Sequence, residues 1–122
     1  EDVVDEIWDF FVEKIQLAQS AGIKDIILDP GFGFGKEIVH NYQIWGRLKE
    51  LSRLELPILV GVSRKSMMYK LFQTTPDDVL DLAGILHFEA IRSGVRILRV
   101  HDVREARRVI ELHHYLKQHE II

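Results

Sequence analysis

The chain has 122 residues, 47% hydrophobic and 29% charged, with a formal net charge of −3 and no cysteine. Such totals describe one folded domain or part of one, and they exclude a disordered chain, disulfides, thiolate chemistry and Cys-type zinc sites. Interspersed charge leaves no basic stripe for nucleic acid, and no apolar run approaches the roughly 18 residues of a membrane span. The opening "EDVVDEIWDF" is acidic where a secretory leader is basic, and the absence of cysteine suits a reducing cytoplasm. The chain does not begin with Met, which suggests that residue 1 is not a natural start.

In chain order, Val3, Val4, Ile7, Trp8, Phe10, Phe11, Ile15 and Ala18 recur at helical spacing, and Gly22 stands where a helix C-terminal cap belongs. "DIILD" at 25–29 is short, continuous and β-branched, which predicts a strand buried on both faces. Pro30 bars Asp29 from the α region, so this strand ends in an extended acid. A helix carrying Ile44, Trp45, Leu48 and Leu51 comes next. Pro57 opens a second buried strand, "ILVGV" at 58–62, which runs into "SRKS" at 63–66. Thr75-Pro76-Asp77-Asp78 predicts a helix start, with Thr75 as cap, Pro76 at the first position and Asp78 closing a capping box. That helix runs to about Ser93 and Gly94, and "RILRV" at 96–100 is a third strand. Asp102 with Glu105 caps a last helix bearing Val103, Ala106, Val109, Ile110 and Leu116.

The predicted order is a helix followed by three βα units, with strand ends at Asp29, Ser63 and Arg99 about 35 residues apart. Such alternation implies a parallel sheet in an α/β fold. A closed (β/α)8 barrel needs eight units and roughly 250 residues, so 1–122 is expected to be a single domain, either a small open sheet or, in preference, a piece of something larger such as a partial barrel.

Unusual residues gather at the carboxyl ends of the strands, where parallel α/β folds bind ligands. "LDPGFGFGKE" at 28–37 is rich in glycine but fits neither phosphate fingerprint: its glycines are evenly spaced by two, and Lys36 is followed by Glu37 rather than Ser or Thr. Asp29 either caps a turn or accepts two parallel N–H bonds from an arginine or an amidine-like ligand edge. Phe32 and Phe34 either fill core or wall a site for a flat ligand. "SRKS" is either a solvated helix start or a basic group beside exposed helix N–H groups that attract an anion. Arg99 and His101 alternate along one strand and so share a face. They are either a snorkelling Arg and a satisfied core His, or a pair of donors for a departing diphosphate. His40, His87, His113, His114 and His119 lack metal-ligand spacing, and no function is assigned to them.

Taken together, "DPGFGFGK", "VGVSRKS" and "RVHDV", in this order and spacing, resemble the dihydropteroate synthase family, the folate-pathway transferases that sulfonamides inhibit. The resemblance covers nearly the whole chain, corresponding to the last three βα units of that family's TIM-type barrel and the helix before them. It implies condensation of 6-hydroxymethyl-7,8-dihydropterin diphosphate with 4-aminobenzoate, giving 7,8-dihydropteroate and pyrophosphate. By this resemblance Asp29 holds the 2-amino and N3–H edge of the pterin, and Lys65 reaches its O4/N5 side. Arg99 lies over the ring and, with His101, holds the diphosphate. Gly33 belongs to the pterin pocket and, with Phe34, borders the aminobenzoate; Ser63 stands close by, and Ser66 takes its carboxylate. Lys65, Arg99 and His101 are the expected catalytic residues. The family also implies Mg²⁺, whose ligands come from earlier strands outside this chain. One departure falls at 80–86, where the family usually carries a G-[ST] pair and this chain has Leu82-Ala83.

Two other readings accompany this one: a relative of the methyltetrahydrofolate-binding methyltransferases, and a non-catalytic half-barrel that binds a partner. The expected ligands are the pterin diphosphate and 4-aminobenzoate, not nucleic acid or membrane. Exposed sheet edges point to a homodimer or to association with a missing half.

Overall fold

The computed structural model describes residues 2–32, 37–62 and 66–122, with the backbone alone at Ser66. Its elements are helices α1 (Val3–Ser20), α2 (Ile38–Gly46) and α3 (Leu48–Leu51), strand β1 (Leu59–Val60), helices α4 (Ser66–Tyr69) and α5 (Leu80–Arg92), strand β2 (Ile97–Leu98) and helix α6 (Val103–Gln118). Helices and parallel strands alternate, an α/β arrangement.

Helix α1 begins at Asp2, which stays extended while its Oδ1 accepts from the N–H groups of Val4 (2.7 Å) and Asp5 (3.4 Å). At the other end the N–H of Gly22 reaches the Gln19 carbonyl and that of Ile23 reaches the Ala18 carbonyl, both at 3.0 Å. This double closure needs a left-handed residue, and Gly22 supplies it at φ 85°.

Three segments lie side by side in sequence order, all running the same way. Leu28 bridges to Ile58 in parallel, its N–H bonding the Pro57 carbonyl and its carbonyl accepting from Leu59, each at 2.8 Å. Strand β1 then pairs with β2, Leu59 against Ile97 and Val60 against Leu98. The predicted strands at 25–29, 58–62 and 96–100 thus pair over one, three and two residues. The outer two have a ladder neighbour on one side only, so most of their length has nothing to pair with among the described residues.

Alternation along these segments separates two faces. Leu28, Ile58, Val60 and Val62 are buried beneath the helices. Ile27 is 55% exposed, which corrects the expectation of a first strand buried on both faces. Ile27 stands on the opposite face from Leu28.

Between the first two strand positions, the single helix expected to carry Ile44 to Leu51 is divided. Helix α2 ends at Gly46, Arg47 takes φ −118° and ψ 19°, α3 follows, and a 3₁₀ turn at Ser52–Leu54 ends in Glu55 at φ 61°. Arg47 is held where the helix breaks: its guanidinium reaches Asp2 at 2.8 Å, Asp5 at 3.5 Å and Glu50 at 2.7 Å. Ile44, Leu48 and Leu51 still share one buried face despite the break. The Tyr42 hydroxyl donates to the Met67 carbonyl at 2.9 Å, joining α2 to α4, whose Met67 and Met68 are buried.

The predicted capping box at 75–78 is also corrected. Pro76–Val79 is a 3₁₀ turn, α5 starts at Leu80, and Thr75 makes no side-chain cap bond. It is the Thr74 hydroxyl that bonds Asp78, at 2.7 Å. An aspartate is one methylene shorter than the glutamate that usually closes such a box, and it meets the preceding threonine instead. Helix α5 packs on α6 through small residues: Ala83 is buried, and a Cβ added at Gly84 would meet Val109 Cγ2 at an ordinary 3.7 Å.

Candidate functional site

Because the three segments are parallel, their carboxyl ends open on one rim of the sheet. Asp29, at the first of these ends, caps a turn and also accepts one N–H bond from an arginine, not the two parallel bonds foreseen. Its Oδ1 accepts the Gly31 N–H at 2.9 Å, closing a turn in which Gly31 sits at φ 74°. Its Oδ2 accepts from Arg99 Nη1 at 3.2 Å. The turn fixes one oxygen and so aims the other at the arginine. The two side chains are 36% and 50% exposed, so the pair stands at an open surface.

Arg99 comes from the residue after β2, and its own N–H bonds the Val60 carbonyl at 2.9 Å. With Leu59 level with Ile97, Gly61 stands level with Arg99, two residues further along each strand. The guanidinium passes directly over Gly61: an added Cβ there would lie 2.8 Å from Nη2, 2.9 Å from Nε and 3.0 Å from Cζ. One cation thus crosses the tip of the middle strand to reach the acid on the far one. Gly61 was not singled out by sequence reasoning; the available signal was a glycine inside the apolar run "ILVGV", next to "SRKS".

Phe32, the first aromatic of the glycine loop, is core. It is buried, and its ring meets Trp45 edge-on with centroids 5.1 Å apart. His101 is exposed two residues beyond Arg99. Gly33, Phe34, Ser63 and Lys65, and the side chain of Ser66, lie outside the described residues.

Asp102, just past the third strand tip, borders two small clefts beside α5. A cleft of about 640 Å³ lies at the opposite end of β2, bordered by Gly94, Val95, Arg96, His113 and Lys117. Among the described residues no three His, Cys, Asp or Glu side chains come together to hold a metal ion.

Residues 1–101 match the family described as pterin binding enzyme. The chain belongs to the pterin-binding enzymes. Within this pterin-binding family, the dihydropteroate synthase of Escherichia coli K12 is 43% identical over 116 residues, covering 91% of this chain and 41% of that protein. The chain thus spans less than half the length of that curated relative. Among solved structures, a Thermus thermophilus dihydropteroate synthase in complex with 4-aminobenzoate superposes with a TM-score of 0.89 at 40% identity, covering 95% of this chain and 46% of that one. A Yersinia pestis dihydropteroate synthase with a sulfonamide drug superposes with a TM-score of 0.91 at 38% identity, covering 97% and 44%. The pterin-binding assignment agrees with the resemblance carried by "DPGFGFGK", "VGVSRKS" and "RVHDV".

Proposed function

We propose that this chain is the C-terminal portion of a dihydropteroate synthase, three βα units of a (β/α)8 barrel, acting in cytoplasmic folate biosynthesis. In this reading the arylamine nitrogen of 4-aminobenzoate attacks the exocyclic methylene of 6-hydroxymethyl-7,8-dihydropterin diphosphate. A C–N bond forms, the C–O bond to the diphosphate breaks, and the amine loses a proton as pyrophosphate departs. A neutral arylamine is already nucleophilic, so the protein's task is to orient two rings and neutralise the leaving charge.

The observation that supports this reading is the meeting of Asp29 and Arg99 at one rim, from strand positions that are not sheet neighbours. Asp29 presents a carboxylate whose geometry suits the pterin's paired 2-amino and N3–H donors. A guanidinium is planar and binds phosphate oxygens in a fork, which suits Arg99 to the diphosphate with His101 beside it. Lys65 is assigned to the O4/N5 side of the pterin and Gly33 to its pocket. Phe34, Ser63 and Ser66 are assigned to the aminobenzoate. The family's Mg²⁺ finds no ligand set among the described residues, and no step above passes through it. The open side of the sheet, where Ile27 is exposed, suits association with the rest of a barrel or with a second copy.

Calorimetric titration of the intact protein tests the proposal. Pterin diphosphate is expected to bind alone, and 4-aminobenzoate only after the pterin diphosphate or with pyrophosphate present. Binding of a reduced folate with no dependence on diphosphate would favour a methyl-transferring relative. No heat with either ligand would favour a non-catalytic role.

A further inference from the structure

Gly61 has no backbone reason to be glycine: it is not among the residues at positive φ, and it continues a strand that otherwise favours β-branched side chains. Its space, however, is taken. The three heavy atoms nearest to an added Cβ all belong to the Arg99 guanidinium, at 2.8, 2.9 and 3.0 Å. Real Cβ atoms essentially never approach that closely, so any other residue at 61 must displace the guanidinium. Yielding costs the fold little, since those atoms are the far end of a flexible side chain and not strand backbone. What is lost is the route by which Arg99 lies flat across the middle strand and reaches Asp29 at 3.2 Å.

We infer that Gly61 is a positioning residue, which acts on the reaction by giving the Arg99 guanidinium its seat over the tip of β1. This deepens the functional reading above and rests on it. Gly61 touches neither ring of the substrates in this role; it sets the height and tilt of the cation that does. Replacing it pushes the guanidinium back by about 0.5–1 Å to reach ordinary contact, enough to spoil a forked contact with phosphate.

A double-mutant cycle on the intact protein tests this. Arg99→Ala is expected to lower kcat/KM for the pterin diphosphate about a hundredfold or more, the usual scale for one lost electrostatic contact. Gly61→Ala should lower it about tenfold with an unchanged melting midpoint. The double variant should match Arg99→Ala within about twofold, because the methyl group acts only through the arginine. Full additivity, or an unimpaired Gly61→Ala enzyme beside a crippled Arg99→Ala one, overturns the inference and leaves the functional reading standing. A silent Arg99→Ala overturns the functional reading itself. In that case the Arg99 Nε–H resonance still decides the matter: it shifts in Gly61→Ala if the seat is real and stays put otherwise. Should Gly61→Ala fail to fold, removing Arg99 as well should restore folding, and a double variant that stays unfolded counts against the seat.

Discussion

Arg99 donates through Nη1 to Oδ2 of Asp29 at 3.2 Å across 70 residues of sequence, passing over the strand between them. Both partners are substantially exposed, so the pair contributes on the order of 0–1 kcal/mol to stability. Its value lies in placement.

Asp29→Asn keeps the shape and an oxygen for the Gly31 N–H but removes the charge. The melting midpoint of the intact protein should stay within experimental scatter of the parent. Affinity for the pterin diphosphate should fall about 10- to 100-fold by calorimetry, the scale of a charge-assisted pair of hydrogen bonds. An unchanged affinity would remove Asp29 from the site.

His87 is buried on α5, and its Nε2 has no hydrogen-bond partner among the described residues. Burial pushes its pKa below the ordinary 6.5. The unfolded chain therefore takes up a proton near pH 6.5 that the folded chain still refuses. Stability contributed by neutral His87 is complete above that value and is lost as pH falls through the lowered pKa. His87→Leu should flatten this loss when denaturant midpoints are compared at about pH 7.5 and about pH 5.5. His113 is shifted the same way, by burial first and then by His114, Lys117 and Arg92, so a single substitution removes part of the slope and not all of it.

Arg47 gathers Asp2, Asp5 and Glu50 at the junction of α1 with the break between α2 and α3. The backbone N–H of Val4, with Arg47 adding to it, lowers the Asp2 carboxyl below its usual 3.8, and the hydrogen bond from Arg47 lowers Glu50 below 4.5. Depressed carboxyl values give stability that is present above those ordinary pKa values and disappears as pH drops through the lowered ones. Arg47→Ala should therefore destabilise measurably near neutrality and much less in acid, where those carboxyls are protonated, with salt weakening the effect. A variant equally destabilised at both pH values would show that Arg47 acts through packing.

Ile44 is completely buried beneath the sheet, whereas Leu17 on α1 is more than half exposed. Ile44→Ala should cost about 2–5 kcal/mol in chemical denaturation, the range for emptying an aliphatic core position. Leu17→Ala should stay within about 0.5 kcal/mol of the parent. Equal costs would mean that another surface covers Leu17.

Local chemistry made the order of elements legible: the Gly22 cap and the apolar spacing of α1 and α6 led to the right element in the right place, whereas α5, placed from its expected cap at Thr75, starts at Leu80. Strand lengths were not legible, because a ladder depends on neighbours that the strand's own residues do not name. Neither was the break at Arg47, where three carboxylates from two helices outbid a helical pattern that by itself reads as continuous. At the site, the sharing of a rim by Asp29 and Arg99 followed from strand alternation and spacing alone. The importance of Gly61 did not, since a glycine in an apolar run gives no hint of which side chain will cross it.

A consequence follows from the guanidinium already resting against Asp29. In the proposed function, a flat heterocycle offering two adjacent N–H groups would meet an acid that is already engaged, so its capture would exchange protein donation for ligand donation at that carboxylate. The displaced cation would then stand a short reach away, available to whatever negative charge the newcomer carried behind its ring.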